Sequence, residues 1–471
     1  MKTNSIFRHI TGPILSLMMV FALVAFTGCN DDDDAAPTES IVAIAQSQPN
    51  LSSLVTALTK YPDLVSTLSG PGQFTVFAPT NDAFSALLAA VGQTSINDVP
   101  ENVLKSLLQY HVVTSGAVLS TQLTAGNVTT ANGETIAVTT AGGIQFNSSA
   151  SVVTADVRAS NGVVHIVNQV LVPPSIAKFV NTVVEPAYFN KNFTTLIAAV
   201  TNASPSILTT LLNSSKKTLF APTNDAFIAA GITTLPNQAT LDAVLTYHVI
   251  GSEVRSNQLP TNTAPANSAI TTLGGVFYLS NRGSNGVFIN GRTRVTTTDI
   301  LADNGVVHVI DRTLMPPSQT IDQIVTSLSG GNPAQFTQLR AALNRVPALV
   351  TAASATSSNL TVFAPTDAAF QTLYTALSVT NVNQIDINLL TSVLQHHIVS
   401  SPTTATGRVF SRDLISGSVP TLNGNITINA TAATVTSGNG TVANIEVGTP
   451  ALINVLGTNG VIHTINKVLV P

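Results

Sequence analysis

Tryptophan is absent from the 471 residues, cysteine occurs once, and only 9% of the residues carry a charged side chain. A single cysteine excludes any disulfide within the chain. The charged share is far below the roughly 25% of an average soluble protein, so the surface must be built mostly from Thr, Ser, Asn, Gln and backbone. Such a surface gives little long-range steering of charged partners. With no basic patch and only 5% aromatic residues, the usual footprint of a nucleic-acid binder is missing. Also missing are a G-x-S-x-G elbow, a phosphate-binding loop and a GxGxxG that opens a helix. What is present in quantity is apolar residue: 44% of the chain, enough for each of about three ordinary domains to bury a core.

The N-terminus reads as a targeting segment. Lys2 and Arg8 precede an apolar run over residues 14–26, too short for a comfortable membrane span. The run ends in Phe26-Thr27-Gly28-Cys29, which resembles the lipobox of bacterial lipoproteins although Phe26 stands where Leu is usual. The resemblance implies that residues 1–28 are a signal peptide and that Cys29 is lipidated; an ordinary secretory signal with a coincidental cysteine is the alternative. Residues 29–38 form an acidic tether, with Asp at all of positions 31–34. Acidic blocks of this kind are often simply solvated. This one also resembles the export signals of some Gram-negative surface lipoproteins. Anchoring in the outer membrane with display on the cell surface is therefore expected, with the lipid as the chain's only contact with the membrane.

One phrase is written three times: TVFAPTNDAF at residues 75–84, TLFAPTNDAF at 218–227 and TVFAPTDAAF at 361–370. A second follows each copy: NGVVHIVNQVLVPP at 161–174, NGVVHVIDRTLMPP at 304–317 and NGVIHTINKVLVP at 459–471. Phe77, Phe220 and Phe363 recur every 143 residues, a domain-sized period rather than a solenoid period of roughly 20–50 residues. Three tandem domains of one kind follow, at 39–174, 175–317 and 318–471. Linkers are nearly absent, so neighbouring domains should be closely articulated.

The first phrase predicts a strand, a stop and a helix. Val76 and Phe77 suit a strand, and Pro79 cannot donate to a ladder. Thr80 or Asn81 can cap the helix that Phe84, Leu87, Leu88 and Val91 mark by their spacing, and Gly92 is placed to close it. Thr223 or Asn224, and Thr366 or Asp367, repeat the capping chemistry. The acid at Asp82 and Asp225 is missing from the third copy, where Ala368 stands. That favours structure over catalysis. A second helix ends in Tyr110-His111, Tyr247-His248 and His396-His397, with the last His in line with the apolar stripe. The Asn-Gly that opens the last phrase signals a tight turn. The run after it is apolar on both faces, which predicts a central strand.

Six of the eight histidines occupy matched positions: His111, His165, His248, His308, His397 and His463. Within a repeat they lie 54, 60 or 66 residues apart, without a cysteine or a repeated glutamate beside them. Metal ligation needs convergent ligands at short spacing. The reading is therefore of neutral, hydrogen-bonded core histidines, with a His–His metal site as the minor alternative and no metal or cofactor expected.

Together the two phrases and the Tyr-His pair resemble the fasciclin (FAS1) family, across residues 39–471. The resemblance implies an α+β fold: three tandem modules, each a β-wedge of two small sheets flanked by several helices. It implies that the boxes, with Thr80, Asn81, Thr223, Asn224, Thr366, Asp367, His165, His308 and His463, chiefly hold the fold. Family members are secreted or anchored proteins of cell surfaces and matrix that mediate adhesion and bind proteins or glycans. In animal members the Tyr-His region has been linked to integrin binding. Carried over, that marks Tyr110, His111, Tyr247, His248 and His397 as candidate binding residues.

The expected function is a lipid-anchored adhesion or matrix-binding protein that is not an enzyme, with cell-surface or matrix proteins or glycans as partners. The alternative is an envelope lipoprotein that captures glycans or small ligands for nutrition. Residues 424–448, rich in Thr, Asn and Gly, read as an enlarged strand–loop region or hairpin peculiar to the third domain and as a candidate contact surface; a neutral surface insertion is the plainer reading.

Overall fold

The computed structural model describes residues 37–399, 407–445 and 452–471. Cys29 and the acidic residues 31–34 lie outside the described residues.

In each repeat the first phrase forms a strand: Phe74–Pro79, Lys217–Pro222 and Leu360–Pro365. The helix that follows is capped by threonine. Thr80 Oγ1 accepts from the N–H of Ala83, and Thr223 and Thr366 do the same for Ala226 and Ala369, all at 3.2 Å. The choice between Thr80 and Asn81 thus falls on Thr80. Asn81 turns outward and serves the neighbouring helix Ser52–Leu58, accepting from Ser53 N at 2.9 Å and donating to Pro49 O at 3.0 Å. Asn224 accepts from Thr195 N at 2.9 Å, and Asp367 from Gln338 N at 2.8 Å. An acceptor oxygen is the shared requirement, which is why Asp can replace Asn there. The first of these helices, Asn81–Ala90, closes as expected: Gly92 takes φ +69° and Gln93 N donates to Leu88 O at 2.8 Å.

The last phrase forms Gly162–Val167, Gly305–Ile310 and Gly460–Ile465, every residue of which is buried. It is central, as the two-sided apolar pattern predicted. On one side it runs parallel to the first-phrase strand, with His165 opposite Phe77. On the other it pairs antiparallel with Ala150–Ala159. The turn between those two strands is Ser160-Asn161, so Gly162 is already the first strand residue. Its smallness serves the neighbouring strand: a β-carbon at Gly162 would fall on the Phe74 carbonyl oxygen.

The side chain of Asn161 ties the module together. Its Oδ1 accepts from Ile41 N at 2.9 Å, while Nδ2 donates to Leu68 O at 2.8 Å and Gly70 O at 2.9 Å. Asn304 makes the same set with Val183, Leu211 and Asn213, and Asn459 with Ile321, Ala353 and Ala355. One amide thereby satisfies the start of one helix and the end of another, groups that would otherwise be orphaned inside the protein.

In the first repeat the strand Ala150–Ala159 belongs to two sheets, and register shifts between Val152, Thr154 and Val157 mark where it bends from one to the other. The wedge is therefore two sheets sharing a strand, and the strand order forms one seven-stranded ladder; the second repeat is built the same way. Each wedge has two apolar cores. In the first repeat one lies between helices and the box strands, around Leu104, Val164 and Ile166. The other fills the wedge itself, around Phe77, Tyr110 and Phe146.

In the third repeat the described strands form two separate four-stranded sheets. There the region 424–448 is more than a hairpin. Asn425–Asn429, Thr434–Thr436 and Val442–Asn444 pair in sequence as a three-stranded meander, and Ile426, Ile428, Val435 and Ala443 are core residues. Its last residues, 446–448, lie outside the described residues.

Candidate functional site

The six matched histidines fall into two kinds, each tied to backbone. His111 follows the helix Glu101–Tyr110 and is 2% exposed. Its Nδ1 donates to Leu107 O at 2.7 Å, one turn back, and its Nε2 accepts from Leu171 N at 2.8 Å. A ring that donates at one nitrogen and accepts at the other is neutral. His248 bridges Val244 O and Leu314 N, and His397 bridges Val393 O and Leu469 N, at 2.7 and 2.9 Å in both cases. Each ring pins the segment after the last-phrase strand to the end of the Tyr-His helix. Burial lowers all three to a pKa of about 4.

The second kind sits mid-strand. His165, His308 and His463 are 0% exposed. Their Nε2 donates to Val118 O, Val254 O and Val409 O at 2.9, 2.9 and 2.8 Å. Nδ1 of the first two accepts from Asp156 N and Asp299 N at 3.3 Å, whereas His463 Nδ1 has no hydrogen-bond partner among the described residues. The ring stacks on Phe77 with centroids 5.9 Å apart, and the Phe220 and Phe363 pairs lie at 5.3 and 5.7 Å.

Tyr110 and Tyr247 are buried beside the histidines that follow them. Tyr110 Oη donates to Thr135 O at 2.7 Å and accepts from Asn147 Nδ2 at 3.1 Å; Tyr247 repeats this with Val276 O and Asn290. His396 fills the same place in the third repeat and bonds Asn423 O at 2.5 Å. The candidate binding residues Tyr110, His111, Tyr247, His248 and His397 thus all lie in the interior, where a partner could feel them only through the surface they support. Asp82 is exposed in the first turn of its helix. Among the described residues, no three His, Cys, Asp or Glu side chains converge as a metal site would require.

Two sets of residues escaped the sequence reading. The first is Asp156, Asp299 and Asn454, each six residues before the glycine of the last phrase and each at positive φ. Their Oδ1 accepts from Ser120 N, Ser256 N and Ser411 N at 2.7, 2.8 and 2.7 Å. The repeated spacing was there to be seen.

The second set joins repeats two and three. The short helical turns Ser120–Gln122, Ser256–Gln258 and Ser411–Asp413 correspond, so Asp413 replaces a repeated Gln. Asp413 is fully buried and reaches across to the second repeat. Its Oδ1 accepts from Ser280 Oγ and Arg282 Nη2, both at 2.6 Å, and its Oδ2 from Asn267 Nδ2 at 2.8 Å. Around it the Tyr278 and Phe410 rings lie 5.7 Å apart, and the Arg408 and Arg412 guanidinium groups stand 4.7 Å over Tyr278 and Phe288. Burial pushes the Asp413 carboxyl up, and its hydrogen-bond donors pull it back. Removing one partner of a buried ion pair strands the other, at a cost of roughly 3–5 kcal/mol. Asp413→Ala is therefore expected to uncouple repeats two and three, splitting one calorimetric transition into two. A single transition at an unchanged temperature would refute the coupling.

The family model for the Fasciclin domain matches residues 49–173, 191–316 and 334–471. The chain belongs to the fasciclin domain family. Each fasciclin module as folded begins before its matched segment, since Ile41, Val183 and Ile321 already bond the box asparagine. Protein sll1483 of Synechocystis sp. is 42% identical over 141 residues, 30% of this chain and 76% of its own length. The transforming growth factor-beta-induced protein ig-h3 of Sus scrofa is 30% identical over 254 residues; the match takes in 53% of this chain and 36% of that protein. This chain thus spans only about a third of the length of ig-h3. A solved FAS1 domain pair from the insect cell adhesion molecule fasciclin I overlays 59% of this chain and 97% of its own, at 18% identity and a TM-score of 0.29.

Proposed function

We propose that this protein is a non-enzymatic adhesion or matrix-binding protein, held to the outer membrane by a lipid on Cys29 and displayed on the cell surface. The observation that carries the reading is the threefold fasciclin module on a single chain behind a lipobox-like Cys29 and an acidic tether. Weak sites repeated on one tether raise each other's effective concentration, so three modules suit avidity to a surface. Partners are cell-surface or matrix proteins or glycans. Because the Tyr-His rings are interior, the contacts in this reading are made by the exposed Thr-, Ser- and Asn-rich faces.

Protease added to intact cells, with permeabilised cells as the control, tests display. Loss of the protein from intact cells is the expected result. Protection until permeabilisation would end the surface reading. A deletion strain that attaches and aggregates like its parent on every surface tried would end the adhesive one.

Capture of a small ligand is the second reading, and one feature supports it: a cleft of about 940 Å³ beside the second module.

A further inference from the structure

Beside that cleft the second repeat departs from the other two, most sharply at one core position. The bond from the box asparagine to Ile41, Val183 and Ile321 aligns the three repeats. Three residues on, the first and third repeats carry Ile44 and Ile324, both buried. The second carries Pro186. The helices holding the isoleucines run Ile41–Ser47 and Ile321–Ser329, whereas Pro186 sits in the single turn Glu185–Tyr188. A proline ring is tied back to its own nitrogen and reaches less far into a core than isoleucine does.

The sheet beneath borders the cleft while staying largely buried, with Ala221 and Val307 each 1% exposed and Val309 9%. Ala221, Val307 and Val309 floor the cleft, with Ile300 and Phe193 beside them. In the first repeat the corresponding Ala78 and Val164 border a void of only about 20 Å³. The far wall belongs to the first repeat: Ala89, Ala90 and the turn after them, at the C-terminal end of the helix Asn81–Ala90. At about 940 Å³ the space is within the range of small-molecule sites, roughly 300–1,000 Å³.

The charges around this apolar floor are unevenly satisfied. Lys216 and Arg255 line the cleft but are both held by Glu253, at 3.1 and 2.8 Å. Glu185 and Asp303 line it without a cationic partner among the described ion pairs. Glu185 is 8% exposed and, among the described residues, accepts only the backbone N–H of Asn181. Burial raises its carboxyl, the Asn181 N–H pulls it partly back, and the nearby Asp303 adds a smaller push upward. The helix end opposite has no basic residue in its last turn, so its carbonyl dipole adds negative potential from the other wall.

The geometry points to an organic cation, a primary ammonium or a guanidinium on an apolar stem, as the ligand of this cleft between the first and second modules. The stem lies on the floor of Val307, Val309 and Ile300, and the cationic head meets Glu185 and Asp303. The site goes beyond the adhesive reading and stands independently of it.

Calorimetric titration of the purified full-length protein with n-hexylammonium, n-hexanol and hexanoate tests the site. Hexylammonium is expected to bind with a Kd of about 1 mM or tighter, and the other two at least about tenfold more weakly. Exposed Asp303→Asn should weaken the ammonium about threefold and Glu185→Gln about tenfold. Pro186→Ile, which restores the residue of the other repeats, should close the cleft and abolish binding while the far-ultraviolet circular dichroism is retained. Equal binding of the three probes would overturn the cationic assignment. No heat with ammonium at about 10 mM, or full binding by folded Pro186→Ile protein, would overturn the site.

Discussion

Gly305→Ala is expected to unfold the second module while leaving the cores of the first and third intact. A β-carbon at Gly305 would lie on the Lys217 carbonyl oxygen, at the first pair of the parallel ladder between Gly305–Ile310 and Lys217–Pro222. Neither strand can retreat. Phe220 and His308 on these strands are both 0% exposed, and Asn304, the preceding residue, is bonded to Val183, Leu211 and Asn213. Displacing a central strand breaks the ladder and opens both cores of the module. The cost should exceed about 4 kcal/mol, a large part of an ordinary domain's stability of roughly 5–15 kcal/mol. Amide hydrogen exchange read peptide by peptide checks the result. Protection lost from the two strands of the second module and kept in Gly162–Val167 would support the argument; native protection at Lys217–Pro222 would defeat it.

Acid is expected to unfold the third module first. His397 and His463 are buried there, and each is lowered by burial from 6.5 to about 4. Because the folded-state value lies below the unfolded one, the unfolded chain binds more protons between those limits. Stability is therefore complete above about pH 6.5 and is lost as the pH falls toward 4. At about 1.4 kcal/mol per unit, each ring withdraws roughly 3 kcal/mol by pH 4, and the third module loses about twice that. The first module carries one ring lowered to about 4, His111; the second carries His248, with His308 lowered as well. Asp413, raised by burial, acts in the opposite sense, but it is one group against two. Urea titrations at about pH 7 and about pH 4.5, followed by exchange in each module, give the order directly. A midpoint for the third module that does not move between the two would contradict the assignment of neutral buried rings.

Neither result needs a bound partner, because both concern residues that a plain reading of the chain already singled out. The central strand was legible in Val163, Val164, Ile166 and Val167, since a strand buried on both faces must be apolar at every position. The cap was legible only as Thr80 or Asn81, because few residue types can accept a helix N–H there, and the fold chose Thr80. The burial of the six histidines followed from their apolar company. The role of Asn161 was not legible. Asn-Gly means a turn in most chains, and only the packing of two distant helices against that turn makes its amide a three-way bond.

Legible in the chain were the threefold repetition, the box strands with the capped helix between them, and the buried histidines. Those follow from local rules: spacing, capping and the ban on unpaired polar groups in an apolar interior. How the three near-copies differ in consequence came only from the packing. Asp413 in place of a Gln, and Pro186 in place of an Ile, are minor edits in the text. One becomes the buried joint between the second and third modules, and the other sits at the cleft between the first and second. A single substitution acquires such consequences because its neighbours are brought from elsewhere: Arg282 lies 131 residues from Asp413, and the sheet beneath Pro186 is closed by strands that come together only in the folded module.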